Sequence, residues 1–410
     1  MCIMEYLRII LPIVILLLLI IFKKDLTISI VSVAFLIGVL NGLSILKILE
    51  IFLHTAIELP TFILISIVVL VLIFGEILKR KNSISSLVKS LKHILKNPLL
   101  VGMVAPAFIG LLPMPGGALV SAPILEEIDE IKNFSGTKKT FLNYWFRHVW
   151  EYSWPLYQGL ILTTIIFKVN MVKLISRQFF FTPFMIFVGV GFSLLYFSRL
   201  RSKTSSSFSN LGDFFRHFFF STWEILLIIF LIMILRINVL LSLFIVVFIS
   251  FLHFFKFKFS LEMLSFFKES VKLNVVLLLF SVLAFKNVII YSDVAKLIHL
   301  LLKNSGEYVV LYMFFIPFAI GFLTGVNTAY VAISFPFFIE VFGKNLDYIS
   351  FVYISGFMGV LLSPLHLCLI LSADYYRAKV GDVLKLLFLP VLLLIIFNFF
   401  VLYERGWVFL

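Results

Sequence analysis

A group of polar and ionisable residues interrupts an otherwise apolar run at positions 143–155, which read NYWFRHVWEYSWP. On a helical wheel at 100° per residue, one half of the surface carries the polar members of this stretch. They are Asn143, Tyr144, Arg147, His148, Glu151 and Tyr152. A helix that begins near Lys139 would place Arg147 ~12 Å along its axis, which is well inside a bilayer.

Ionisable side chains at such depth are costly and usually mark substrate or proton pathways. The guanidinium of Arg147 can hold a carboxylate through two parallel hydrogen bonds. His148 or Glu151 can carry a coupling proton. The alternative is structural: Arg147 and Glu151, four residues apart, would pair and pack two helices together, and His148 would only be hydrogen-bonded.

Two related stretches place helix breakers inside the apolar sequence. Residues 106–123 read PAFIGLLPMPGGALVSAP and residues 317–336 read PFAIGFLTGVNTAYVAISFP, so that Pro106 superposes on Pro317 and Gly110 on Gly321. The candidate binding residues of the first are Pro113, Pro115, Gly116 and Gly117, and those of the second are Thr324, Gly325, Asn327 and Thr328.

Unpaired backbone groups are tolerated at membrane depth only where protein or a water-filled cavity satisfies them. Each stretch therefore predicts a re-entrant hairpin whose tip binds an anion or a cation. A helix N-terminus favours an anion and freed carbonyls favour a cation, with Asn327 and Thr328 as the predicted surroundings of a sodium ion. The alternative is a kink packed against neighbouring helices.

A second pair of matching segments follows the first. WPLYQGLIL at 154–162 aligns with SPLHLCLIL at 363–371, and both contain a helix-breaking proline, Pro155 and Pro364. Each predicts a discontinuous helix whose unwound part faces a hairpin tip. Ser363 is a candidate binding residue and His366 a second proton carrier, although a lone histidine in an apolar helix is more often only hydrogen-bonded. Gly356 and Gly359 suit close helix approach.

The composition, 62% hydrophobic and 13% charged, excludes a soluble globular protein. The net charge of +13 comes from short basic clusters between apolar runs. The positive-inside rule predicts such clusters in cytoplasmic loops, so they do not indicate nucleic-acid binding. Cys2 and Cys368 have no metal-ligand spacing, so neither a metal site nor redox chemistry is predicted.

The apolar runs predict an all-α polytopic membrane protein with about ten spans and two hairpins. The predicted spans are 4–22, 26–45, 59–78, 139–168, 179–198, 217–236, 238–254, 272–291, 349–372 and 383–403. Residues 1–198 and 214–410 would be two repeats, each of three helices, a hairpin and two helices, joined by a basic, serine-rich cytoplasmic linker at 199–213. Basic clusters placed inside make the second repeat inverted relative to the first. This placement leaves Lys168, Lys173 and Arg177 on the outer side, as exceptions to the positive-inside rule.

The motifs LPMPGGALVSAP, NYWFRHVWEY, GFLTGVNTAYVAISFP and SPLHLCLILSADYY together resemble the domain of unknown function 401 family, a branch of the ion transporter superfamily. The resemblance covers both halves. It implies an inverted-repeat fold with two re-entrant hairpins, in which a transport domain moves against a scaffold. Relatives in the wider superfamily move organic anions, arsenite or sodium and protons, and the family itself implies no substrate.

We therefore predict a secondary active transporter of the cytoplasmic membrane that moves a small carboxylate-like anion together with protons or sodium, with no other cofactor. Its predicted partners are the anion and the lipid bilayer, with a homodimer as an option and no nucleic acid. The alternatives are a cation/proton antiporter, with Arg147 as a structural partner of Glu151 and His148, and a membrane-embedded enzyme. No HExxH motif or paired-acid motif supports the enzyme.

Overall fold

The computed structural model describes residues 3–22, 24–81, 97–111, 117–126, 128–197, 211–255, 261–303 and 306–406. Within these ranges the chain is helical and forms no strand, so the predicted all-α class is confirmed. In the described part of the chain, five stretches are long and apolar enough to cross a membrane: Leu59–Arg80, Met171–Phe197, Leu273–Tyr291, Leu346–Tyr375 and Val380–Glu404. Shorter apolar helices of 10–17 residues accompany them, as expected of a multi-pass membrane protein with broken helices.

The first half contains helices α1 to α11. They are α1 (Ile3–Ile21), α2 (Leu26–Leu40), α3 (Ile45–Ile57), α4 (Leu59–Arg80), α5 (Pro98–Gly110), α6 (Ala118–Glu126), α7 (Asp129–Lys132), α8 (Gly136–Arg147), α9 (Gln158–Phe167), α10 (Met171–Gln178) and α11 (Phe181–Phe197). Helices α5 and α6 form the first hairpin. Helices α8 and α9 form the first broken helix.

The second half contains helices α12 to α21. They are α12 (Leu211–Ile229, continued by a π turn at Phe230–Ile234), α13 (Val239–Phe254), α14 (Leu261–Ser270), α15 (Leu273–Tyr291), α16 (Val294–Lys303), α17 (Val309–Thr324, preceded by a 3-10 turn at Gly306–Tyr308), α18 (Asn327–Phe342), α19 (Leu346–Leu362), α20 (Leu367–Tyr375) and α21 (Val380–Glu404). Helices α17 and α18 form the second hairpin, and α19 and α20 the second broken helix.

The predicted span 26–45 is wrong at its C-terminal end, because the helix stops at Leu40 and α3 follows as a separate element. Gly42 has φ +89°, a left-handed backbone conformation that ends α2. Ser44 then caps α3, since its hydroxyl accepts a 3.2 Å hydrogen bond from the amide of Lys47.

Equivalent elements of the two halves pack in equivalent pairs. Helix α2 packs against α15 and α13 against α4; α9 packs against α18 and α20 against α6; α5 packs against α8 and α17 against α19. If each helix is replaced by the helix at the same place in the other half, each pair becomes its counterpart. A duplication of one unit would produce this arrangement. The domain division itself stays a prediction, and residues 199–210 of its linker lie outside the described residues.

Ion pairs join residues that the sequence assigns to the same side of the membrane. Arg80 pairs with Glu269, two residues predicted near the inner surface. Arg177 and Arg405, both predicted outside, share Asp347. These pairs join residues that the predicted topology places together, and the sidedness of the two groups stays a prediction.

The second hairpin packs very closely against its broken helix. A Cβ added at Gly359 would overlap the carbonyl oxygen of Phe318, and one at Gly321 would overlap that of Gly356. The predicted close approach at Gly356 and Gly359 is confirmed. The backbones can come this close because glycine has no side chain to separate them.

Candidate functional site

The first broken helix unwinds immediately after Arg147. Helix α8 ends there and residues 148–157 form a series of turns, for example through a 3.0 Å hydrogen bond from the amide of Ser153 to the carbonyl of Trp150. Pro155 lacks an amide proton and cannot continue a helix. The predicted discontinuity is confirmed, but it starts seven residues before the proline. The helical wheel was therefore wrong beyond Arg147, and the i, i+4 helical geometry assumed for Arg147 and Glu151 is not formed.

Side chains of this first break bind the end of the first hairpin helix. The last carbonyls of a helix have no partner within the helix. At the end of α5, Trp150 donates to the carbonyl of Ala107 at 2.8 Å and Tyr157 to that of Gly110 at 2.6 Å. Arg147 donates from Nη1 to the carbonyl of Ile109 at 3.4 Å. The unwound segment consequently contacts the end of α5, whereas the tip itself, residues 112–116, lies outside the described residues, so that its facing the tip stays a prediction.

The guanidinium of Arg147 lies against the point where the second helix of this hairpin begins. A Cβ added at Gly117 would overlap the guanidinium itself, and Gly117 immediately precedes α6. Arg147 is only 4% exposed. A buried cation is thus placed beside a helix N-terminus, and both attract a negative charge. Pro113, Pro115 and Gly116 lie outside the described residues.

Asn143 connects the first hairpin to the second broken helix. Its side-chain amide donates to the carbonyl of Ala118 at 3.1 Å and to the hydroxyl of Ser372 at 2.8 Å. Its Oδ1 is buried with no hydrogen-bond partner among the described residues. Asn143 therefore lies between the halves and keeps one acceptor available.

The second break spans Ser363 to His366, between α19 and α20. Nδ1 of His366 lies 2.6 Å from the carbonyl oxygen of Gly325 and donates to it. Gly325 has φ +65°, and a Cβ there would approach the backbone of His366 to 2.7 Å, so the second hairpin tip requires glycine at this position. The second unwound segment faces its hairpin tip.

Contacts between the two halves meet at residues 147–151. Asn327, the first residue of α18, donates to Oε2 of Glu151 at 2.6 Å, and Tyr353 donates to the backbone carbonyl of Glu151 at 3.2 Å. Nε2 of His148 lies 3.1 Å from Nε2 of His366. The two helix ends of the first hairpin, the tip of the second hairpin and the two breaks thus converge on one buried polar centre.

Several predicted site residues make only local bonds. The hydroxyl of Ser363 accepts from the amide of Leu365 within the break, and that of Thr324 donates to the carbonyl of Ile320 within α17. Thr328 is buried at the start of α18. By contrast, Oδ1 of Asn327 is a buried acceptor with no hydrogen-bond partner among the described residues, which suits a cation.

Four residues that sequence reasoning did not assign to the site contribute to it: Tyr144, Tyr353, Ser372 and Cys368. Tyr144 stood on the polar side of the wheel, and its hydroxyl donates to the carbonyl of Leu361 at 3.2 Å. Tyr353 and Ser372 lie in the predicted span 349–372, which has no polar periodicity. Cys368 has no partner at ligand spacing in the sequence, yet its Sγ and the side-chain nitrogens of His148 and His366 all lie within 4.8 Å of one another.

A separate cavity of about 550 Å³ opens among the ends of α4, α9, α10 and the π turn that follows α12. Lys168, Lys173 and Arg236 line it, and none of its described lining residues is acidic. All three basic residues are predicted on the outer side. Lys168 and Lys173, which are predicted outside against the positive-inside rule, therefore line one cavity. Their positive charges would attract anions there.

Residues 6–404, nearly the whole chain, fit the model of a protein family described as "Protein of unknown function (DUF401)". A comparison with curated proteins gives no significant match.

Proposed function

The chain belongs to the DUF401 family, and from the geometry we propose that it is a secondary active transporter of a small organic anion in the cytoplasmic membrane. One observation carries this proposal: the helix ends of the first hairpin, the tip of the second hairpin and both helix breaks meet at a buried centre that contains Arg147 and Glu151. Broken helices that meet between repeats are the usual construction of a site with alternating access.

The anion would bind between Arg147 and the N-terminus of α6. The guanidinium lies beside Gly117, and the first amides of α6 have no partner within the helix. A carboxylate at this point would interact with a full positive charge and with the positive end of a helix dipole. Anions would be drawn toward the protein by the outer cavity that contains Lys168, Lys173 and Arg236.

The coupling ion, a proton or sodium, would bind at the Glu151–Asn327 contact. Glu151 is 4% exposed, and Oδ1 of Asn327 supplies a neighbouring oxygen without a hydrogen-bond partner among the described residues. Protonation of the carboxylate or coordination of sodium would neutralise a buried charge, which otherwise costs several kcal/mol. Because the contact joins the halves, loading this site would alter how they hold together. The proton-carrying roles predicted for His148 and His366 stay predictions.

A cation/proton antiporter is the second candidate. One observation favours it: Arg147 donates a hydrogen bond to the carbonyl of Ile109, at the C-terminal end of α5. An arginine with a purely structural role would make the same bond. In that case Arg147 would hold the first hairpin and no anion would be required.

Purified protein in liposomes separates the two candidates. A thermal-shift screen against carboxylates and inorganic anions, with and without sodium and at two pH values, first identifies the anion that stabilises the protein. Uptake of that anion is then measured for Arg147→Ala, with Arg177→Ala as the control because the Arg177 side chain is half exposed. We expect Arg147→Ala to remain folded and to lose uptake and anion stabilisation, while the control keeps both. Full uptake by Arg147→Ala would remove Arg147 from the anion site.

A further inference from the structure

The two histidines at the centre of the protein have fixed hydrogen-bonding roles. Nδ1 of His148 lies 2.6 Å from the carbonyl oxygen of Tyr144, and Nδ1 of His366 lies 2.6 Å from that of Gly325. A carbonyl oxygen can only accept, so both Nδ1 atoms carry a hydrogen. In the neutral rings the lone pairs are therefore on the two Nε2 atoms.

These lone pairs face each other across 3.1 Å. Two acceptors at that separation repel unless a cation lies between them. The sulfur of Cys368 completes the group, since it and the two side-chain nitrogens all lie within 4.8 Å of one another. Three donor atoms from three side chains are thus directed to one small volume.

We propose that His148, His366 and Cys368 bind a zinc-class divalent metal ion. Tetrahedral zinc, with bonds of ~2.0–2.1 Å to nitrogen, holds two nitrogen ligands ~3.3 Å apart, close to the separation in this structure. Thiolate together with imidazole is the ligand set that borderline-soft ions of this class prefer. A metal ion bound at this point would use all three donors at once.

The surroundings of the two rings are those of metal-binding histidines. A histidine that ligates a metal almost always donates its other ring hydrogen to a carbonyl or carboxylate, which fixes the tautomer and the orientation of the ring. Both rings do so here, and the ring of Tyr144 packs against both, with centroid separations of 4.7 and 5.5 Å. The ligand set is consequently held in place before any metal binds.

Metal binding replaces the thiol proton of Cys368, which leaves to solvent, and both imidazoles stay neutral. Cys368 is half-buried. Three protein ligands leave a fourth position for water or another small ligand. The ligands come from both breaks, His148 from the first and His366 and Cys368 from the second or just after it.

The test is a titration of the purified, metal-free full-length chain with Co²⁺, followed by competition with Zn²⁺. We expect one Co²⁺ per chain, a visible spectrum typical of tetrahedral coordination, and a sulfur-to-cobalt charge-transfer band that disappears when Zn²⁺ is added. Cys368→Ser should remove the charge-transfer band and weaken Co²⁺ binding at least tenfold. The matched control Cys2→Ser, at the other cysteine of the chain, should change neither.

His366→Gln should also weaken Co²⁺ binding at least tenfold, with His54→Gln as its control because the His54 side chain is 62% exposed. If His366→Gln does not fold, Cys368→Ser alone decides. Absence of Co²⁺ binding, binding without the charge-transfer band, or an unchanged band in Cys368→Ser would each overturn the proposal. No transport is measured, so the outcome is independent of the proposed function.

Discussion

Asn327 donates a 2.6 Å hydrogen bond from Nδ2 to Oε2 of Glu151, and so joins the start of a hairpin helix in one half to the helix break of the other. Glu151 also accepts at its backbone carbonyl from Tyr353. A carboxylate buried to this extent needs partners, because an unpaired buried charge is strongly destabilising. The contact is therefore a structural link between the halves and, under the proposed function, the point at which a coupling ion would act.

Asn327→Ala should destabilise the protein by ~1–3 kcal/mol, because it removes a donor from a buried carboxylate. The measurement is the free energy of unfolding in detergent. Glu151→Gln removes the charge that needs the donor, so the double variant should lose less than the sum of the two single variants. Strict additivity would show that the two side chains do not interact in the folded protein.

Glu151→Gln tests the coupling role of the carboxylate. The substitution preserves shape but removes the group that gains and loses a proton, so an imposed proton gradient should no longer drive uptake. Exchange of labelled for unlabelled anion across the liposome membrane, which needs no net proton movement, should persist. Glu340→Gln, at an exposed position in α18, is the matched control. Proton-driven uptake by Glu151→Gln at the control rate would exclude Glu151 as the proton carrier.

Gly359→Ala should lower the melting temperature, since its Cβ would overlap the carbonyl oxygen of Phe318. Overpacking of this kind costs ~1–3 kcal/mol. Gly191→Ala in α11 is the control, because a Cβ there meets no atom within 4 Å. The control should leave stability unchanged or raise it by up to ~1 kcal/mol through helix propensity. Equal melting temperatures for the two variants would contradict the close packing described for the second hairpin.

Lys168→Gln and Lys173→Gln should raise the anion concentration needed for half-maximal uptake at low ionic strength. These side chains line the outer cavity, where their field concentrates anions. The effect should diminish at about 0.15 M salt, because charges are then screened beyond ~8 Å. Lys385→Gln, 83% exposed and outside the cavity, should have no effect at either ionic strength. A salt-independent effect would point to direct contact with the anion instead.

The sequence alone determined the class of the protein and which of its helices are broken. Apolar runs and helix-breaking residues act locally, so the membrane character, the discontinuities before Pro155 and at Pro364 and the close approach at Gly359 could all be predicted. Tertiary structure decided which side chains meet. Glu151 and Asn327 are 176 positions apart, and His148 and His366 are 218 apart. Local periodicity carries no information on such pairs, and it misled where α8 ends at Arg147 instead of continuing. Cys368 appeared isolated because its partners are brought together only when both broken helices pack at the centre of the protein.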